Sequence, residues 1–155
     1  MGSRVYAEKA RREKEKIDGM ICLEMVGYAC DDPGCQKYPF PLGLLDYPEQ
    51  GNFIGIVGNF KSGDFTRALV DEFQKNDDLP VVKLTVPFNG WIIPSVRLSD
   101  HASFWDRGYS AVMVTDSAFF RNPYYHTAAD TMEKLDYRFM AELVESLVLF
   151  FTSQH

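Results

Sequence analysis

Three places in the sequence hold residue types that can do chemistry. Glu24 is the one residue charged at neutral pH in Ile21-Cys22-Leu23-Glu24-Met25-Val26. A carboxylate removed from water without a partner is costly or takes up a proton, so this setting calls for a cation, a metal ion or an open face beside it. The second place is Ser99-Asp100-His101, followed by Phe104 and Trp105. Adjacent Asp and His on a helix do not face each other, so they form no dyad, but a helix start favours the Asp100 charge and offers free amides. The third is Asn122-Pro123-Tyr124-Tyr125-His126-Thr127-Ala128-Ala129-Asp130-Thr131. There His126 can bind a metal through one ring nitrogen while a carboxylate such as Asp130 orients the other. Tyr125 can donate a hydrogen bond to a developing oxyanion. Each place also has an ordinary reading. Glu24 can pair with one of 16 basic residues, Ser99 can cap a helix with His101 as a plain polar residue, and His126 can be a surface side chain.

These residues depend on the elements that carry them. Ser3 to Ile17 reads as a charged surface helix with a thin apolar stripe, stopped by Gly19. Met20 to Val26 is apolar on both sides of the pleat, the pattern of a strand buried on both faces of a parallel sheet. Ala29 to Gln50 is a long irregular connection of the kind that carries function. Asn52 to Gly58 and Val81 to Val86 read as strands, with a helix from Gly63 to Lys75 between them. After the loop Pro87 to Leu98, Ser99 is placed to cap a short helix, Asp100 to Arg107. Ala111 to Val114 is the fourth strand, and Asp136 caps a final amphipathic helix after the loop Thr115 to Leu135. Alternating strands and helices imply an α/β three-layer sandwich with a mostly parallel sheet. In such a sheet ligands gather beyond the carboxyl ends of the strands.

Composition removes several function classes. The 155 residues fit one domain, and 16 basic against 22 acidic residues give a net charge of -6, so no general attraction to nucleic acid or anionic lipid is expected. The apolar run Leu147 to Phe151 is far below the ~20 residues of a membrane span. Cys22, Cys30 and Cys35 are an odd number, which favours a reduced state, although Cys30 and Cys35 can close a small loop. There is no His-Glu-x-x-His, Cys-x-x-Cys, Gly-x-Ser-x-Gly or phosphate-binding glycine loop.

Taken in order, Gly2-Ser3 through Tyr6-Ala7, Leu23-Glu24-Met25-Val26-Gly27-Tyr28, Phe53 to Asn59, Ser99-Asp100-His101 with Phe104, and Tyr125-His126-Thr127-x-x-Asp130-Thr131 resemble the C-terminal half of a two-zinc aminopeptidase of metallopeptidase family 28. The resemblance covers nearly the whole chain and implies that residues 1–155 form one partial zinc-peptidase-like domain. It implies Glu24 as the carboxylate ligand of one zinc, His126 as the histidine ligand of the other, and Tyr125 as a stabiliser of the tetrahedral intermediate. Asp100, His101 and Asp130 become supporting or pocket residues. The family's His-x-Asp, its bridging Asp and its Glu-Glu pair would all precede Met1. With one ligand per ion, weak or absent zinc binding is expected of this chain alone. A peptide with a free N-terminus is the implied substrate. A complementary N-terminal half, or a second copy across an open sheet edge, is the implied partner. Two other readings remain open: a non-catalytic interaction domain of the same fold, and a relative that cyclises N-terminal glutamine. Localisation stays unassigned.

Overall fold

The computed structural model describes residues 2–153; Met1, the reference point for the expected missing half, lies outside them. Eight main elements follow in order: α1 (Gly2–Glu13), β1 (Met20–Leu23), β2 (Ile54–Asn59), α2 (Gly63–Phe73), β3 (Val81–Val86), α3 (His101–Asp106), β4 (Ala111–Thr115) and α4 (Tyr137–Ser153). The four strands form one sheet in the order β1-β4-β2-β3. β1 runs parallel to β4 and β2 parallel to β3, while β2 and β4 are antiparallel. The sheet is therefore mostly parallel, as expected. A consequence of the antiparallel junction is that the carboxyl ends of β1 and β4 share one end of the sheet and those of β2 and β3 the other.

Alternation along the strands sends their side chains to two cores. Ile54, Ile56, Val112 and Val114 pack against Leu69, Val70 and Phe73 of α2 and Phe139, Leu143 and Phe150 of α4. Val57, Val86, Ala111 and Met113 face Ala7 of α1, Phe104 and Trp105 of α3, and Val96. Helices thus lie on both faces of the sheet, giving the three layers. α4 starts where Asp136 accepts a hydrogen bond from the Phe139 amide at 2.9 Å, the expected cap. No described helix is long and apolar enough to cross a membrane.

Three local expectations are corrected. β1 stops at Leu23 instead of reaching Val26, because Met25 adopts φ 51° and turns the chain out of the sheet. It is also an edge strand whose Leu23 is 48% exposed, so its apolar run does not mean burial on both faces. The first helix ends at Glu13, where Lys14 takes φ 56°, well before Gly19. Cys30 and Cys35 are joined by a disulfide and Cys22 is the free thiol, so the odd count reflects one pair plus one buried cysteine. The long connection is pinned at both ends by a two-way backbone bridge between Cys30 and Gly51 (2.9 and 2.8 Å).

Candidate active site

Glu24 stands one residue beyond β1, its amide still hydrogen-bonded to the Val114 carbonyl at 2.9 Å. Its side chain is half-buried, and no lysine or arginine among the described residues pairs with it. The ordinary reading of Glu24 as one half of an ion pair therefore does not hold. Its partner is Ser99, whose hydroxyl donates to Oε2 at 2.5 Å. Ser99 was expected to cap α3, but Asp100 is at that position and no side chain caps the helix. The loop after β3 starts at the far end of the sheet and brings Ser99 back to Glu24. Cys22 Sγ lies 3.1 Å from Ser99 Oγ. Because the single hydroxyl proton is committed to the carboxylate, the thiol must be the donor in that contact. Oε1 of Glu24 accepts no hydrogen bond from the described residues and remains free for a ligand.

A cavity of about 140 Å³ opens beside this pair. Gly55 and Val57 of β2, Leu84 of β3 and Met113 and Thr115 of β4 line it from the sheet, on the face that also carries α1 and α3. Glu24, Ser99, Ser117 and Tyr125 supply polar atoms, and Phe119 and Phe120 supply aromatic wall. Neither tryptophan lines it. Trp91 is exposed, and Trp105 is buried with its indole donating to the Ala111 carbonyl at 2.8 Å.

Tyr125 and His126 follow the loop beyond β4. Their rings stack at 3.9 Å with an interplanar angle of 14°, and Phe119 lies 5.6 Å from Tyr125. Tyr125 is half-buried on the cavity, whereas His126 is exposed, takes φ 57° and does not line it. Asp130 is half-buried and accepts from Asn122 Nδ2 at 3.2 Å, not from His126. Asp100 accepts the Ser3 hydroxyl at 2.7 Å, tying α3 to the start of α1. His101 is fully buried, with Nε2 2.8 Å from the Val96 carbonyl and its ring edge-on to Trp105. Burial pushes its pKa down to about 4, so the imidazole is neutral and Nε2 carries the proton. Neither Asp100 nor His101 touches the cavity.

Two buried residues near the site escaped the sequence reading. Asp116, the first residue after β4, accepts hydrogen bonds from the amides of Gly27 (3.0 Å), Tyr28 (2.8 Å) and Ala118 (2.8 Å). Burial holds its carboxyl above the usual range, against the opposing pull of those amides and of Arg121. Arg121 donates to the Phe53 carbonyl at 2.9 Å and to Gln36 at 2.7 Å, with its guanidinium over the Phe53 ring. Burial lowers its pKa to about 10, which leaves it charged at neutral pH. The available signal was position: an Asp directly beyond a parallel strand stands where functional side chains gather.

The donor set fits zinc only in part. A catalytic zinc takes three protein ligands, and no group of three His, Cys, Asp or Glu side chains converges among the described residues. Glu24 offers one free oxygen and His126 an accessible ring; the chain by itself does not complete a zinc site.

The sequence profile described as peptidase family M28 matches residues 1–151. The chain belongs to peptidase family M28. Among relatives, it is 36% identical over 148 residues to the uncharacterised protein YfbL of Escherichia coli K12, covering 96% of this chain and 44% of that protein. It is 25% identical to a probable leucine aminopeptidase 1 of Trichophyton verrucosum, covering 98% of this chain and 35% of the relative. The crystal structure of the LapA aminopeptidase of Legionella pneumophila superposes with a TM-score of 0.64 at 19% identity, over 96% of this chain and 34% of that one. This last likeness establishes a shared fold. The M28 chain spans less than half the length of each of these relatives.

Proposed function

We propose that this chain is part of a zinc-dependent exopeptidase of the aminopeptidase type, and that residues 1–155 belong to one larger peptidase domain. The observation that carries the reading is that Glu24 and Tyr125 line one largely apolar cavity, with the Glu24 carboxylate half-buried and paired with no cation among the described residues. Membership of a peptidase family and similarity to a probable leucine aminopeptidase support it. Zinc, when bound, supplies a Lewis acid for the scissile carbonyl. Glu24 and His126 each contribute one ligand to the metal centre, the other ligands coming from a complementary N-terminal segment. Ser99 holds one carboxylate oxygen of Glu24 and leaves the other facing the ligand. Tyr125 donates its hydroxyl proton in a hydrogen bond to the carbonyl oxygen as charge develops there. The apolar cavity wall receives a hydrophobic side chain and excludes water from it.

Mixing the chain with the N-terminal portion of an M28 relative tests this reading, with hydrolysis of leucine p-nitroanilide as the measure. Activity should appear only in the mixture. Glu24→Gln and His126→Ala should each reduce it by more than the roughly 100-fold that loss of an outer hydrogen-bond partner costs. Full activity in both variants would remove the ligand assignments.

A second reading has its own observation. The outer edge of β1 is unpaired among the described residues, and Leu23 is exposed on it, which suits a non-catalytic domain that associates through that edge. It is distinguished by a mixture that stays inactive and zinc-free on elemental analysis while forming a stable complex.

A further inference from the structure

The geometry points to Asp116 as a positioning residue that fixes the loop bearing Glu24 and the loop bearing Tyr125 and His126 to each other. The inference rests on the site reading proposed above, but its first readout does not.

Asp116 has no solvent exposure. Its two carboxylate oxygens divide between the loops. Oδ2 accepts the Gly27 and Tyr28 amides of the segment that follows Glu24, and Oδ1 accepts the Ala118 amide of its own loop. The Asp116 amide reaches in the opposite direction, to the Met25 carbonyl, at 2.6 Å. One residue thus makes four hydrogen bonds, three that stitch positions 25–28 to Asp116 and one that holds Ala118 in its own loop. Hydrogen bonds to a buried acceptor are costly to leave unmade, and their geometry is directional.

The stitched positions are the conformationally demanding ones. Met25, Ser117 and Ala118 all take positive φ without being glycine (51°, 73° and 50°). Such backbone persists only where its surroundings over-determine it. Met25 directly follows Glu24, so its turn sets the direction of the Glu24 side chain. Ser117 and Ala118 open the loop that goes on through Phe119 to Tyr125. From Ala118 the order is passed on, because its carbonyl accepts the Asn122 amide at 2.7 Å and Asn122 in turn accepts the Tyr124 amide at 2.9 Å. Asp116 touches neither Glu24 nor Tyr125 nor His126, and acts on them through backbone.

Asp116→Asn keeps the shape but puts an NH2 group against amide donors on one of the two sides. The first readout is NMR of the isolated chain without metal. The Glu24 side-chain carboxyl resonance and the Tyr125 and His126 ring resonances should all shift. Leu69→Ala, which loosens the α2 core on the opposite sheet face, should leave them in place at equal loss of stability. Unshifted resonances in Asp116→Asn overturn the inference whatever the metal does. The second readout is zinc titration of the chain mixed with the complementary N-terminal segment, followed by NMR, in a cycle with Glu24→Gln. Asp116→Asn should weaken binding roughly 10- to 100-fold in the wild-type background and not further in Glu24→Gln. Equal weakening in both backgrounds overturns the positioning role, while a Glu24→Gln that binds zinc like wild type overturns the ligand reading instead. Should Asp116→Asn fail to fold, amide exchange in the wild-type chain decides. A single latch requires the Gly27, Tyr28 and Ala118 amides to be protected to the same degree although they lie in two loops. Protection of Ala118 alone overturns it.

Discussion

His101 carries a neutral ring in a fully buried place, and this has a measurable consequence. Burial lowers its folded pKa to about 4, against the pull of the Val96 carbonyl, while the unfolded chain titrates near the ordinary 6.5. Between these values the unfolded chain binds a proton that the folded one refuses. The stability that His101 contributes is complete above pH 6.5 and is lost as pH falls to about 4, roughly 3 kcal/mol in all. Asp116, whose carboxyl is raised, works in the opposite sense, so the wild-type curve alone is ambiguous. The difference between wild type and His101→Gln in urea unfolding from pH 7 to pH 4 isolates the effect; parallel curves would refute it. Ser99 gives the companion prediction. Ser99→Ala frees the Glu24 carboxylate from its 2.5 Å partner and should cost reconstituted activity roughly 10- to 100-fold in kcat. Residue types singled out Glu24, Tyr125 and His126 as candidates, each with an ordinary reading beside it, and the family resemblance gave them their expected roles. They could not show that Ser99 serves Glu24 instead of a helix, since that pairing spans 75 positions and depends on how a long loop returns.

At the scale of elements, the close approach of α2 to β2 turns on one glycine. A Cβ at Gly58 would sit 2.1 Å from Thr66 Oγ1, which is itself held by the Ser62 carbonyl at 2.8 Å. Gly58→Ala should destabilise the fold by about 1–3 kcal/mol through overpacking, and Thr66→Ala in the same chain should return part of that loss. Urea midpoints of the two single variants and the double variant check it; simple additivity would show that the two sites do not meet. Periodicity carried most of the element reading, because α2, α4, β3 and β4 are long or regular enough for one face to repeat. The misreadings share one cause. Lys14 and Met25 end α1 and β1 by taking positive φ, and neither residue type announces that conformation. The surroundings impose it, for Met25 through the bond from its carbonyl to the Asp116 amide.

At the scale of the whole molecule, the sheet has two outer strands that are guarded differently. β3 carries Lys83 on the exposed side, a charge of the kind that discourages pairing with another chain. β1 is Met-Ile-Cys-Leu, with no charge and with Leu23 open to water. Its amides at Met20 and Glu24 turn inward to Ser110 and Val114, so the alternate residues Ile21 and Leu23 present their backbone groups outward. An uncharged, apolar edge of this sort is a template for a further strand. The net charge of -6 opposes self-association at low salt. The two effects have different ranges, because pairing acts at contact while repulsion is screened over roughly 30 Å at 0.01 M salt and roughly 3 Å at 1 M. The isolated chain should therefore be mostly monomeric at low ionic strength and form larger species as salt is raised, seen by sedimentation velocity. Leu23→Lys should keep it monomeric under both conditions without lowering its urea midpoint, since that side chain is 48% exposed. Association that persists in Leu23→Lys would place the contact elsewhere, and a chain that stays monomeric at high salt would show that four residues of open edge are too few to recruit a partner.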